Sequence, residues 1–188
     1  MIEMKSIEDV AFATLDPLVR ARVLTPRNAV EKPEVHARNI LALDLGTATG
    51  WAVRRRDGSM GHGTERFPDR KRAHPGQRWA DFRAWLSRVL VSQHVHAIAY
   101  EDVKRHLGTD AAHAYGAFLA MMQMVAAQHN VELMPVGVGT IKKAWTGKGN
   151  ADKAAMIAEA KRRGFKPDSD NAADALAILS WAAMQEDR

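Results

Sequence analysis

The sequence contains no cysteine. Disulfides and thiolate metal sites are therefore excluded, and a reducing compartment is the easiest fit. Long apolar runs are missing too: the longest, AYGAFLAMMQMVAAQ at 114–128, is too short and too polar to span a bilayer. The first residues, MIEMKSIEDVAF, place acidic groups early and lack a basic region ahead of an apolar one, so no signal peptide is expected. No Gly-Lys-Ser/Thr occurs, which excludes a Walker-type phosphate loop. A cytoplasmic protein is expected.

What is abundant is positive charge, unevenly placed. The net charge is +5 at pH 7. Residues 54–83 alone carry a net +5 and residues 140–166 a net +6, so the rest is acidic. Two basic blocks on an otherwise acidic body point to a polyanion partner. Lys142, Lys143, Lys148 and Lys153 in one block, and Arg70, Lys71 and Arg72 in the other, are the residues expected to bind it.

With 188 residues the chain suits one domain plus an appendage. Residues 1–38, broken by Pro17, Pro26 and Pro33, read as a partly helical or flexible N-terminal extension, and residues 39–188 as the folded domain. From Asn39 the periodicity predicts strands at 39–45, 49–56 and 58–67, the last two joined at Asp57-Gly58. An amphipathic helix at 76–93, a strand at 95–101, a helix at 110–129 and a strand at 131–136 follow. Helices at 138–145, 151–163 and 171–184 complete the chain. Three meandering strands followed by two right-handed crossovers make a mixed five-stranded α/β sheet, its first three strands antiparallel, with helices on both faces. Its first and fourth strands are neighbours, which places Asp44 beside Glu101.

Asp44 interrupts the apolar run ILALDLGTATGWAV, and an unpaired carboxylate there needs a partner, a cation or a site. Glu101 ends AIAYE in the same way. Asp170 and Asp174 share a face of the last helix, with Asn171 near both. Gathered carboxylates with no basic residue between them call for divalent cations, and oxygen-only ligation suits Mg²⁺ or Mn²⁺. Two such ions per site is the arrangement for in-line attack of water on a phosphodiester. Asp170 has a competing use as a helix N-cap.

The pieces ALDLGTATGWAV, AIAYE, TIKKAWTGKGNADK and NAADALAI, in that order, resemble the RuvC-like Holliday-junction resolvases of the ribonuclease H-like fold. The resemblance covers about residues 39–184. It implies a homodimeric endonuclease acting on branched DNA, with the dimer contact on the 110–129 helix; the extra N-terminus suits a phage or mobile element. It implies metal and catalytic roles for Asp44, Glu101 and Asp174, and phosphate-facing roles for Lys142 and Lys153. For the fourth ligand the family spacing points to Asn171 and charge points to Asp170. Gly147 and Gly149 are expected to let the backbone approach a phosphate. A non-catalytic DNA-binding module and an actin- or sugar-kinase-like ATP-binding protein are the alternatives, the second because the hairpin DLGTATGWAV is shared with that superfamily.

Overall fold

The computed structural model describes residues 38–69, 74–104 and 108–186. The expected N-terminal extension lies outside them apart from Arg38, and so do Arg70, Lys71 and Arg72.

Among the described residues, five strands and five helices follow in the order that the periodicity predicts. They are β1 (Ile40–Asp44), β2 (Ala48–Arg54), β3 (Met60–Arg66), α1 (Gln77–Ser92), β4 (Ala97–Glu101), α2 (Thr109–Gln128), β5 (Glu132–Val136), α3 (Val138–Thr146), α4 (Lys153–Arg162) and α5 (Asp170–Glu186). The sheet order is β3-β2-β1-β4-β5. β1, β2 and β3 pair antiparallel, whereas β4 is parallel to β1 and β5 to β4.

The strands read as nearly continuous apolar runs because both faces are covered. Ile40, Ala42, Ala52, Ala97 and Ala99 point to one face, where α3, α4 and α5 bury Ile141, Trp145, Met156, Leu176 and Ile178 on them. Leu41, Leu43, Val53, Ile98 and Tyr100 point to the other, under Phe82, Leu86, Phe118 and Met122 of α1 and α2. Small alanines on the first face let α5 lie close to the sheet. At Gly50 of β2 no larger residue fits, because a Cβ would stand 1.9 Å from the backbone oxygen of Asn171. The start of α5 is seated there, directly beside Asp44, whose register partner is Gly50.

The β2–β3 connection is one residue longer than an Asp-Gly two-residue turn. The Gly58 N–H donates to the Arg55 carbonyl at 3.0 Å, and the Arg55 N–H to the Ser59 carbonyl at 2.9 Å. Gly58 has φ +78°, the left-handed residue of a three-residue loop.

At the start of β1 the chain carries a paired charge cluster. Arg38 donates to Glu186 and to Glu132, each at 2.5 Å, and Arg54 donates to the other oxygen of Glu186. Arg54 and Glu186 are both almost fully buried. Glu186 closes α5, where the helix dipole disfavours an anion, and the two guanidinium groups offset that.

Candidate active site

The opposite end of β1 carries charges of one sign. Asp44 ends β1 and Glu101 ends the parallel neighbour β4, where the ladder has just passed Leu43–Tyr100. Both strands therefore deliver a carboxylate to the same edge of the sheet. This is where ligands bind in open α/β sheets, outside the carboxyl ends of parallel strands. α5 begins over this edge and brings Asp170 and Asp174 from above.

Capping decides what Asp170 is free to do. Ser169 Oγ accepts from the Ala172 N–H at 3.0 Å, and the Ser169 carbonyl accepts from Ala173 N–H at 3.2 Å. Ser169 is the N-cap, so the competing use of Asp170 falls away, and Asp170 is the first helical residue. Thr64 of β3 fastens the cap: its hydroxyl donates to Asp168 at 3.1 Å and is hydrogen-bonded to Ser169. Gly50 below and Thr64 beside thus fix the helix start that carries both aspartates.

The carboxylates sense one another. Asp44 keeps some surface open to solvent, yet protein encloses its carboxylate on most sides. Its pKa is held well above the usual range, first by burial and then by the charges of Asp174, Glu101 and Asp170, with Lys153 pulling the other way. Burial also raises Glu101, with Asp174 adding to it and Lys142 opposing. Asp174 is raised by burial and by Asp170, against Lys142 and Lys153. Asp170 is the exception. The Lys153 ammonium bonds it at 2.5 Å and lowers its pKa, and the same bond raises that of Lys153. Asp170 thus adds its charge to the cluster while paired to Lys153.

Glu101, Lys142, Lys153 and Asp174 line a cavity of about 170 Å³ floored by Val138, Ile141, Met156 and Ile178. α3 and α4 supply the two lysines. Trp145 is buried and donates to the Met156 carbonyl at 3.1 Å, locking α3 on α4. Lys142 donates to the Ala151 carbonyl at 2.7 Å, tying the intervening loop to the cavity wall. Asp152 caps α4 through the Ala155 N–H at 2.8 Å, which puts Lys153 at the helix start, facing Asp170. The loop glycines have internal duties. Gly147 ends α3 with φ +81°, and a Cβ on Gly149 would stand 3.3 Å from the Gly139 carbonyl oxygen.

Lys143 and Lys148 do not join the cavity. Lys143 is exposed on the outer side of α3, lining a separate and larger depression of about 790 Å³ with Trp181, Met184 and Gln185. Lys148 lines another with Asp152, Glu159 and Arg162. They belong to the basic outer surface, where expectation had grouped them with Lys142 and Lys153. Spacing alone could not separate them, since adjacent residues of a helix point about 100° apart.

Among the described residues, no three Asp, Glu or His side chains already stand close enough to grip an ion as they are. The donor set nevertheless fits a hard divalent cation: oxygen ligands only, excess negative charge, and three carboxyls whose ionisation burial and like charge make more costly.

The sequence pattern of the family described as RuvC, crossover junction endodeoxyribonuclease, matches residues 40–180. The chain belongs to the RuvC family. The match spans β1 to the last turns of α5 and so contains all four carboxylates. The RuvC of Parvibaculum lavamentivorans, named a crossover junction endodeoxyribonuclease, is 30% identical over 73% of this chain and 82% of its own length. Among solved structures, T. thermophilus RuvC in complex with a Holliday junction substrate superposes with TM-score 0.67 at 22% identity, covering 79% of this chain and 97% of that one. The yeast mitochondrial Holliday junction resolvase Ydc2 superposes with TM-score 0.58 at 14% identity, covering 82% of each chain. These structures share the ribonuclease H-like fold with this chain. RuvC-family proteins are metal-dependent nucleases, and the ATP-binding alternative falls away. Among the described residues, no helix is long and apolar enough to cross a membrane.

Proposed function

We propose that this protein is a junction-resolving endodeoxyribonuclease. It hydrolyses phosphodiester bonds in branched DNA with two Mg²⁺ or Mn²⁺ ions held by Asp44, Glu101, Asp174 and Asp170. The observation that carries the reading is the meeting of carboxylates from β1, β4 and α5 at one sheet edge, where burial and like charge hold the pKa values of Asp44, Glu101 and Asp174 above their ordinary ones. Bound divalent ions would supply an activated water and charge stabilisation at the departing oxygen.

The chain's own groups do the rest. Asp44, which senses the charges of Asp174, Glu101 and Asp170, would hold the ions together with them. Asp170 can exchange its Lys153 partner for a cation, and the released ammonium is then available to the phosphate. There it offsets the charge that develops in the transition state. Lys142 stands on the opposite cavity wall, tethered by Ala151, and holds a phosphate from that side. Lys143 and Lys148, with the block around Arg70, Lys71 and Arg72, contribute affinity along the DNA backbone. That affinity falls steeply with salt as counterions are released. A homodimer, paired through α2, would set two such sites on opposing strands of one junction.

Cleavage of synthetic four-way, forked and plain duplex DNA, with and without Mg²⁺, tests the reading. Metal-dependent paired incision of the four-way junction by a protein that elutes as a dimer is expected. Equal cutting of plain duplex, or cutting without metal, would overturn it.

A further inference from the structure

One carboxylate of the cluster sits where a strand runs out. β4 pairs with β1 only as far as Tyr100, so Glu101 is laddered on one side alone, to Val136 of β5. The Asp102 N–H still donates to the Val136 carbonyl at 2.8 Å, after which the chain leaves the sheet. A strand end held by one neighbour can rotate its last peptide, and that rotation swings the side chain it carries.

Tyr115 of α2 reaches back to this point. Its hydroxyl donates to the Glu101 carbonyl at 2.7 Å and accepts from the Val103 N–H at 3.1 Å. The ring is buried in the α1–α2 core, among residues that would pack a phenyl ring equally well. Packing therefore does not explain the hydroxyl, whereas the two bonds do. They bracket Glu101 to Val103 and fix the peptide plane on which the Glu101 carboxylate stands. The other polar side chains of this stretch of α2, AYGAFLAMMQMVAAQ, are Gln123 and Gln128, and both are exposed, so Tyr115 is the residue that turns a polar tip inward, at the spot where β4 needs a second hold.

We propose that Tyr115 is a positioning residue for Glu101, holding its carboxylate in the orientation that binds a divalent ion between β4 and α5. The inference rests on Glu101 being a metal ligand. Groups that orient a ligand from outside typically change metal affinity by about 10- to 100-fold when removed. A hold on the backbone acts at the lower end of that range, and part of the loss should fall on the rate at limiting metal.

The test is calorimetric titration of Mn²⁺ into the metal-free full chain without DNA, for four proteins. Tyr115→Phe should bind Mn²⁺ roughly tenfold more weakly and need more Mn²⁺ for half-maximal cleavage. Its affinity for a four-way junction in Ca²⁺ should stay that of the wild type. Val125→Ala, a truncation of a buried residue elsewhere on α2, should lower the melting temperature and leave the titration unchanged. Glu101→Gln should weaken binding at least as much as Tyr115→Phe. If Glu101→Gln titrates like the wild type, the ligand reading fails and the inference with it. If Glu101→Gln is weakened while Tyr115→Phe titrates like the wild type, or Val125→Ala shifts the titration as far as Tyr115→Phe does, the positioning role alone is overturned.

Discussion

β1 and α5 run in opposite directions, and each ends of the pair gathers charge, but by different rules. At the start of β1, Arg38 and Arg54 meet Glu186, with Glu132 outside them, so buried opposite charges are matched. At its end, Asp44 meets Glu101 and Asp174, with Lys142 and Lys153, among the described residues, at the margins. The first cluster is finished within the chain. Among the described residues the second is left short of positive charge, which costs stability, and in the function proposed above a divalent ion meets that shortfall. A fold can thus hold the same residue types as structure at one end and as a site at the other, the difference being which partners are withheld.

The comparison breaks most sharply through the matched end. Glu186→Gln leaves Arg54 buried without its anion and should cost about 3–5 kcal/mol of stability, measured by urea denaturation. The Mg²⁺ dependence of the residual folded protein should not change; a shifted metal requirement would mean that the two ends are not independent.

Gly50→Ala attacks the seat of α5 instead. A Cβ there forces the Asn171 backbone away and carries Asp170 and Asp174 with it. A displacement near 1 Å can cost about 10²-fold in rate, together with about 1–3 kcal/mol of stability from overpacking. Junction affinity in Ca²⁺ should be spared, because the lysines lie on α3 and α4 and in the loop between them.

Asp170→Asn separates the candidates for the fourth ligand. It should lower cleavage at least roughly tenfold, about 1.4 kcal/mol of barrier, and raise the Mg²⁺ requirement, whereas Asn171→Ala should do much less. The reverse result would return the family spacing to force.

The smallest effect expected is in pH. Asp44, Glu101 and Asp174 have folded-state pKa values above their ordinary ones, so each binds its proton more tightly in the fold. Their contribution to metal-free stability therefore rises as pH falls from neutrality toward the ordinary carboxylate range. Glu159, bonded by Arg162 and Arg163 and lowered to about 2, acts oppositely, and its contribution fades as pH falls below the ordinary glutamate value. Thermal melts at falling pH should show a shallow gain without metal and a loss of that gain in Mg²⁺.

The sheet order and the helix positions were legible because both faces of the strands are apolar and the helices carry clean periodicity. The three carboxylates Asp44, Glu101 and Asp174 were legible for a related reason, each being a charge that an apolar segment does not otherwise carry. What could not be read were relations between distant residues. Nothing in the sequence links Arg38 or Arg54 to Glu186, partners 148 and 132 positions apart. Thr64 at the cap of α5 and Tyr115 at the end of β4 were hidden likewise, since a hydroxyl has no pattern until its acceptor is placed. Gly50 stood in a recognised motif, but its duty depends on a helix more than a hundred residues later. The lone signal for Tyr115 was a polar tip on the buried face of its helix.

The central claim is that the Asp44 end is kept short of positive charge so that metal can complete it. Melting temperatures of wild type and Asp44→Asn at neutral pH, each with and without Mg²⁺, test it most directly. Without metal Asp44→Asn should melt higher than the wild type, because the substitution removes a buried, repelled charge. Mg²⁺ at roughly a hundred times its dissociation constant should stabilise the wild type by about 2.7 kcal/mol and the variant far less, while cleavage by the variant is abolished. A variant that melts lower than the wild type without metal and gains as much from Mg²⁺ would contradict the account.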